Sequence, residues 1–167
     1  MLRTLLLSAL MVSPAVAQDE QMMGLQLRQL TAEGNTVVLG AYAACILGKG
    51  DVEATAALFT QAGWTRTDDS EMGVTELAGS NGVVAVTLYD GGRICSVTSE
   101  VLGTASTESS LVATLALAGW PITPTEGEGG CAAYVMPELG IASLTSSGQD
   151  PVCQSDSSSD ARFTFGL

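Results

Sequence analysis

Asp51-Val-Glu-Ala-Thr-Ala-Ala-Leu-Phe-Thr-Gln-Ala-Gly-Trp64 aligns, 56 positions on, with Thr107-Glu-Ser-Ser-Leu-Val-Ala-Thr-Leu-Ala-Leu-Ala-Gly-Trp120, and both stretches close on Ala-Gly-Trp. Two residues are then gained. At an offset of 58, Val83–Cys95 overlays Ile141–Cys153, which brings Gly82 onto Gly140, Thr87 onto Thr145 and Cys95 onto Cys153. The same order of helix, glycine turn, strands and cysteine occurs twice, and it reads as one unit used in tandem.

Each unit opens with a helix. Thr55, Phe59 and Ala62 in the first copy, and Leu111, Leu115 and Ala118 in the second, follow the i, i+4, i+7 spacing of a single apolar stripe. Ser106 or Thr107 can cap the second helix, and Glu108 suits its first turn. Gly63 and Gly119 stand where a left-handed residue ends a helix. The tryptophan after each is expected to fold back on the last turn as a core and cap residue, in preference to a ligand cage.

Three strands are expected to follow each helix. Val74–Ala78, Val83–Tyr89 and Arg93–Thr98 are separated by Gly79-Ser80-Asn81-Gly82 and Asp90-Gly91-Gly92. Cys131–Met136, Ile141–Thr145 and Val152–Ser155 repeat them, with turns at Pro137–Gly140 and Ser147–Pro151. Alternation places Val84, Val86 and Leu88 on one face with Ala142, Leu144, Cys95 and Val97, and that face is expected to lie under the helices. The fold class is therefore α+β: two tandem helix-plus-three-strand repeats, covering 51–98 and 107–155, forming an antiparallel sheet with helices packed on one face.

Ahead of the repeats, residues 18–50 form an N-terminal helical or tethering segment. Met23, Leu27 and Leu30 have helical spacing and end at Gly34-Asn35. Residues 36–47 read equally as a strand or as a helix tethered by Cys45. Pro121–Gly130 reads as a flexible connection. Residues 156–167 read as a loose tail in which Phe163 and Phe165 can pair one last edge strand.

Residues 1–17 have the order of a signal peptide. Arg3 precedes an apolar run from Leu5 to Val12, and Ala15-Val16-Ala17 supplies small residues for cleavage after Ala17. The apolar run is far shorter than the roughly 20 residues that span a bilayer. Residues 18–167 are thus expected to be a single secreted domain, periplasmic or extracellular, with no membrane insertion after cleavage. The four cysteines, Cys45, Cys95, Cys131 and Cys153, lack the close pairs that zinc favours, and in an exported chain they read as two disulfides. Of the three possible connectivities, Cys45 with Cys95 and Cys131 with Cys153 is preferred, because each closes a modest loop worth about 3 to 4 kcal/mol.

Eighteen acidic residues against six basic ones give a net charge of −12. Such a chain repels nucleic acid and anionic lipid, and its acidity suits a monomer. There is no histidine, which removes the commonest general base and a common metal ligand. No G-x-S-x-G elbow is present, and Gly48-Lys49-Gly50 lacks the remainder of a phosphate loop. Asp68, Asp69 and Glu71 form one acidic cluster, and Asp156 with Asp160 forms another. Both read as solvated loop charge, although the stretch from Asp68 to Glu71 is where a weak calcium site would be sought. No catalytic residue, metal or cofactor is assigned. The leading expectation is a non-enzymatic protein-interaction module with a partner in the cell envelope. Tyr89, Arg93 and Tyr134 are its candidate surface anchors. The alternative is a carbohydrate hydrolase that uses carboxylates alone, with two acids roughly 5 to 10 Å apart in one groove.

Overall fold

Both Ala-Gly-Trp sequences end a helix in the same way. In the computed structural model, which describes residues 22–80, 82–146 and 153–166, the Trp64 amide donates to the Phe59 carbonyl and the Gly63 amide to that of Thr60. The Trp120 amide likewise donates to Leu115, and the Gly119 amide to Ala116. These are the two hydrogen bonds of a left-handed helix cap, and Gly63 (φ 86°) and Gly119 (φ 71°) supply the positive φ that it requires. The cap's hydrophobic contact is present as well: the Phe59 and Trp64 rings lie 4.8 Å apart.

Three long helices pack on the sheet. Residues 22–27 are helical and run into a 3-10 turn, Arg28–Thr31, with Met23 and Leu30 buried. Helix α1 spans Val37–Gly48. The ambiguous segment 36–47 is therefore helix. Its apolar residues are buried all round, from Val37 and Tyr42 to Ile46, as befits a helix lying inside the core. Gly40 permits its closest approach: a Cβ there would fall 2.8 Å from the Gln29 carbonyl carbon and nearer still to the Leu30 nitrogen. Helix α2, Val52–Gln61, is capped by Asp51, whose Oδ1 accepts the Ala54 amide at 2.8 Å. Helix α3, Thr104–Leu117, starts earlier than the expected cap at Ser106 or Thr107. Thr107 lies inside the helix, 1 % exposed, and its hydroxyl is shared with that of Ser159. Thr55 and Phe59 are buried on α2 with Ala62 half-buried at its C-cap, and Leu111, Leu115 and Ala118 are buried on and beside α3.

All eight strands join one antiparallel sheet. They are β1 Thr65–Asp69, β2 Val74–Ala78, β3 Val84–Tyr89, β4 Ile94–Ser99, β5 Thr123–Glu126, β6 Ala132–Met136, β7 Gly140–Thr145 and β8 Ser159–Phe165. Their spatial order, β1-β2-β3-β4-β8-β7-β6-β5, reads alike from both edges, with β4 and β8 paired at the centre. Helices packed against an antiparallel sheet make the molecule α+β. Val84, Val86 and Leu88 lie under the helices with Cys95, Val97, Ala142 and Leu144, as the alternation required.

Several expectations need correction. Helices α2 and α3 are each followed by four strands, not three, the additional ones being β1 and β5. Both are edge strands, Thr-Arg-Thr-Asp-Asp and Thr-Pro-Thr-Glu, whose charges and proline suit an edge and hide the strand signal. Pro121–Gly130 is accordingly more than a connection. Residues 153–155, expected in a strand, are irregular, and the last strand is β8. It occupies the middle of the sheet, not a loose tail or an edge, because Ala161, Phe163 and Phe165 bury one whole side of it. Phe163 alone, fully buried against Tyr42, contributes about 1.5–3 kcal/mol. Cys95 and Cys153 are consequently not equivalent, since Cys95 lies within β4 and Cys153 in the segment before β8. The signal sequence 1–17 and the turn Ser147–Pro151 lie outside the described residues.

The disulfides are Cys45–Cys95, with Cα atoms 5.9 Å apart, and Cys131–Cys153, at 5.1 Å. The first ties α1 to β4. The second ties the start of β6 to the approach to β8.

Candidate functional site: the uncovered face of the sheet

A strand alternates its side chains between two faces, and here the helices cover only one. No described element covers the other. Register identifies the cross-strand rows of that open face. One row runs from Tyr89 through Ile94, Thr164 and Ile141 to Val135, across β3, β4, β8, β7 and β6. The next runs Glu76, Thr87, Ser96, Arg162, Ser143 and Ala133. Tyr89 at 38 % and Val135 at 36 % exposure are large apolar groups open to solvent. Such groups are informative when aligned on one surface.

A polar cluster sits at the centre of this face. Asp160, only 4 % exposed, accepts a hydrogen bond from the Ser96 hydroxyl at 2.5 Å on Oδ1 and one from the Arg162 guanidinium at 3.2 Å on Oδ2. Burial pushes the Asp160 carboxyl above the usual carboxylate range, against the opposing pull of Ser96 and Arg162. Thr145 Oγ1 and Arg162 Nε are buried beside it without hydrogen-bond partners. The cluster resides on β4, β7 and β8 and could not be read from the chain, because Ser96 and Asp160 are 64 residues apart.

The candidate anchors separate. Tyr89 stands on the open face. Arg93, at the turn before β4, is exposed and pairs with Asp90 at 3.5 Å. Tyr134 faces the helices, 9 % exposed, and its hydroxyl donates to the Glu108 carboxylate on α3 at 2.5 Å. Its orientation follows from register, because Tyr134 is paired with buried Ala142. The hydrogen bond to Glu108, with burial, pushes the Tyr134 hydroxyl up to about 12.

The acids of the two predicted clusters are dispersed, although Asp156 lines one pocket together with Glu108, Thr104 and Ser155. Asp68 accepts hydrogen bonds from Thr75 at 2.6 Å and from Arg66 at 3.0 Å, and both hold its carboxyl below the usual range. Arg66 also reaches Glu53 on α2 at 2.7 Å, which joins that helix to β1. Asp69, next along the strand, points to the opposite face, and its Oδ1 accepts the amides of Glu71 and Met72. These acids hold a turn and an edge strand in place. They do not flank a common groove. Asp156 lies exposed in the segment before β8, while Asp160 is enclosed within the sheet face. Among the described residues no group of three or more His, Cys, Asp or Glu side chains could hold a metal ion, and no helix is long and apolar enough to cross a membrane. Lys49 forms the left-handed cap of α1, so Gly48-Lys49-Gly50 is the turn into α2.

The tryptophans belong to the packing. Trp64 is buried, and its indole Nε1 donates to the Leu30 carbonyl at 3.0 Å. Trp120 is half-buried against the core. Compared with protein-family models, with curated proteins and with solved structures, the chain matches none.

Proposed function

We propose that this protein is a non-enzymatic module of the periplasm or the extracellular space, which acts by binding another protein through the uncovered face of its sheet. The observation that carries the reading is the aligned row Tyr89, Ile94, Thr164, Ile141 and Val135 on a face that no described element covers. The row lies at one end of the strands, beside hydroxyl and charged groups, and exposed aromatic and apolar side chains next to polar ones recur in protein interfaces. The extracytoplasmic setting is supported by the signal-like order of residues 1–17 and by two disulfides, which persist outside the reducing cytoplasm. The tandem order of helix and meander supports an origin by duplication, which makes a wide sheet from one small unit.

The test compares the wild-type protein with an Ile94→Glu, Ile141→Glu double variant as bait in an extract of the cell envelope. A protein retained by the wild type and lost from the variant, at unchanged thermal unfolding, is the expected result. Equal retention by both proteins would refute the reading.

A further inference from the structure

The open face is complementary to itself. In the row Glu76, Thr87, Ser96, Arg162, adjacent residues sit on adjacent strands β2, β3, β4 and β8. Strands lie about 4.8 Å apart, so the backbones at Glu76 and Arg162 stand about 14 Å apart, with only the hydroxyl residues Thr87 and Ser96 between them in the row. Glu76 is exposed and forms no ion pair with a described residue. Arg162 is already anchored by Asp160, which limits the side-chain entropy it would lose on binding.

Consider a two-fold axis parallel to the strands and midway between β3 and β4. Facing a second copy across that axis puts Glu76 of each chain opposite Arg162 of the other. It also puts Thr87 opposite Ser96, and Tyr89 opposite Ile94, since Tyr89 and Ile94 are register partners in the neighbouring row. A dimer interface of this type requires that one patch complement itself, and here an ionic row and an apolar row satisfy the same axis. Aligned packing of two sheets face to face is a common arrangement. Six strands of each copy overlap, a width of about 29 Å on the strand spacing above. The acidity that argues for a monomer lies mainly elsewhere: on this face Asp160 is paired with Arg162, and Asp69 is engaged by its own turn.

We propose that the occupant of the uncovered face is a second copy of this chain, docked with Glu76 of one protomer against Arg162 of the other and Tyr89 against Ile94. This rests on the reading of that face as the binding surface. Sedimentation equilibrium of the full chain in 0.15 M salt is expected to show a dimer. Glu76→Arg should weaken the dimer at least tenfold, because it sets like charge against Arg162 of the other protomer. Thr87→Arg, beside the axis, should also yield monomers, and neither variant touches the Asp160–Arg162 pair. A wild-type chain that stays monomeric at 100 µM, or a dimer indifferent to Glu76→Arg and Thr87→Arg, would overturn the inference. If the chain is monomeric yet the Ile94→Glu, Ile141→Glu variant still loses an envelope protein, the dimer fails while the binding face stands.

Discussion

Tyr134 and Asp160 illustrate how a neighbour decides what a side chain is for. An alternating strand makes Tyr134 equally available to either face, and its pairing with Ala142 turns it toward α3, where Glu108 accepts its hydrogen bond. A hydrogen bond to a charged acceptor contributes about 1.5–3 kcal/mol, so Tyr134→Phe should lower stability by about that much at neutral pH. The pH dependence has a definite sign. The folded state holds the phenol protonated up to about 12, above the unfolded value near 10. The stabilisation is therefore complete below pH 10 and disappears as pH rises toward 12. Urea titrations of both proteins at intervals across that window should converge at the alkaline end, and a constant difference would show that Glu108 is not the partner that matters.

At the scale of the element, two glycines do different work. Gly63 provides a left-handed cap whose only demand is its backbone angle, since a Cβ there meets nothing within 4 Å. Gly63→Ala should cost about 1–2 kcal/mol, the penalty of a left-handed alanine. Gly40 lies in a regular helix and has no unusual angle, but its Cβ would enter the backbone at Gln29 and Leu30. Gly40→Ala should cost more, about 3 kcal/mol, because backbone cannot move aside as a side chain can. Thermal unfolding of the two variants ranks them, and the reverse order would mean that α1 does not lie against the 3-10 turn. The caps were legible because Ala-Gly-Trp is a local signal. The helix at 37–48 was not, because a segment buried on all sides loses the periodicity that distinguishes a helix from a strand.

On the scale of the whole molecule, β8 closes the structure. It pairs with β4 on one side and β7 on the other, so it joins the β1–β4 half of the sheet to the β5–β7 half. Phe163, tilted against Tyr42 and stacked on Phe165, is its central core residue. Phe163→Ala is expected to cost about 3–5 kcal/mol in denaturant unfolding. A loss below about 1 kcal/mol would return the C-terminal strand to the peripheral role that its polar approach, Ser155–Ser159, suggests on sequence alone.

The chain by itself determined its local signals: the two apolar helix stripes, the glycine caps and the hairpin strands with their buried face. These depend on residues a few positions apart, where periodicity and turn chemistry act directly. Tertiary structure decided the edge strands, whose polar residues are stable there only because a neighbouring strand supplies hydrogen bonds, and the central place of β8, which requires partners from both halves. It also assembled the open face. Glu76, Ser96 and Arg162 become neighbours through strand register alone, and register is set by burial of the opposite side of the sheet.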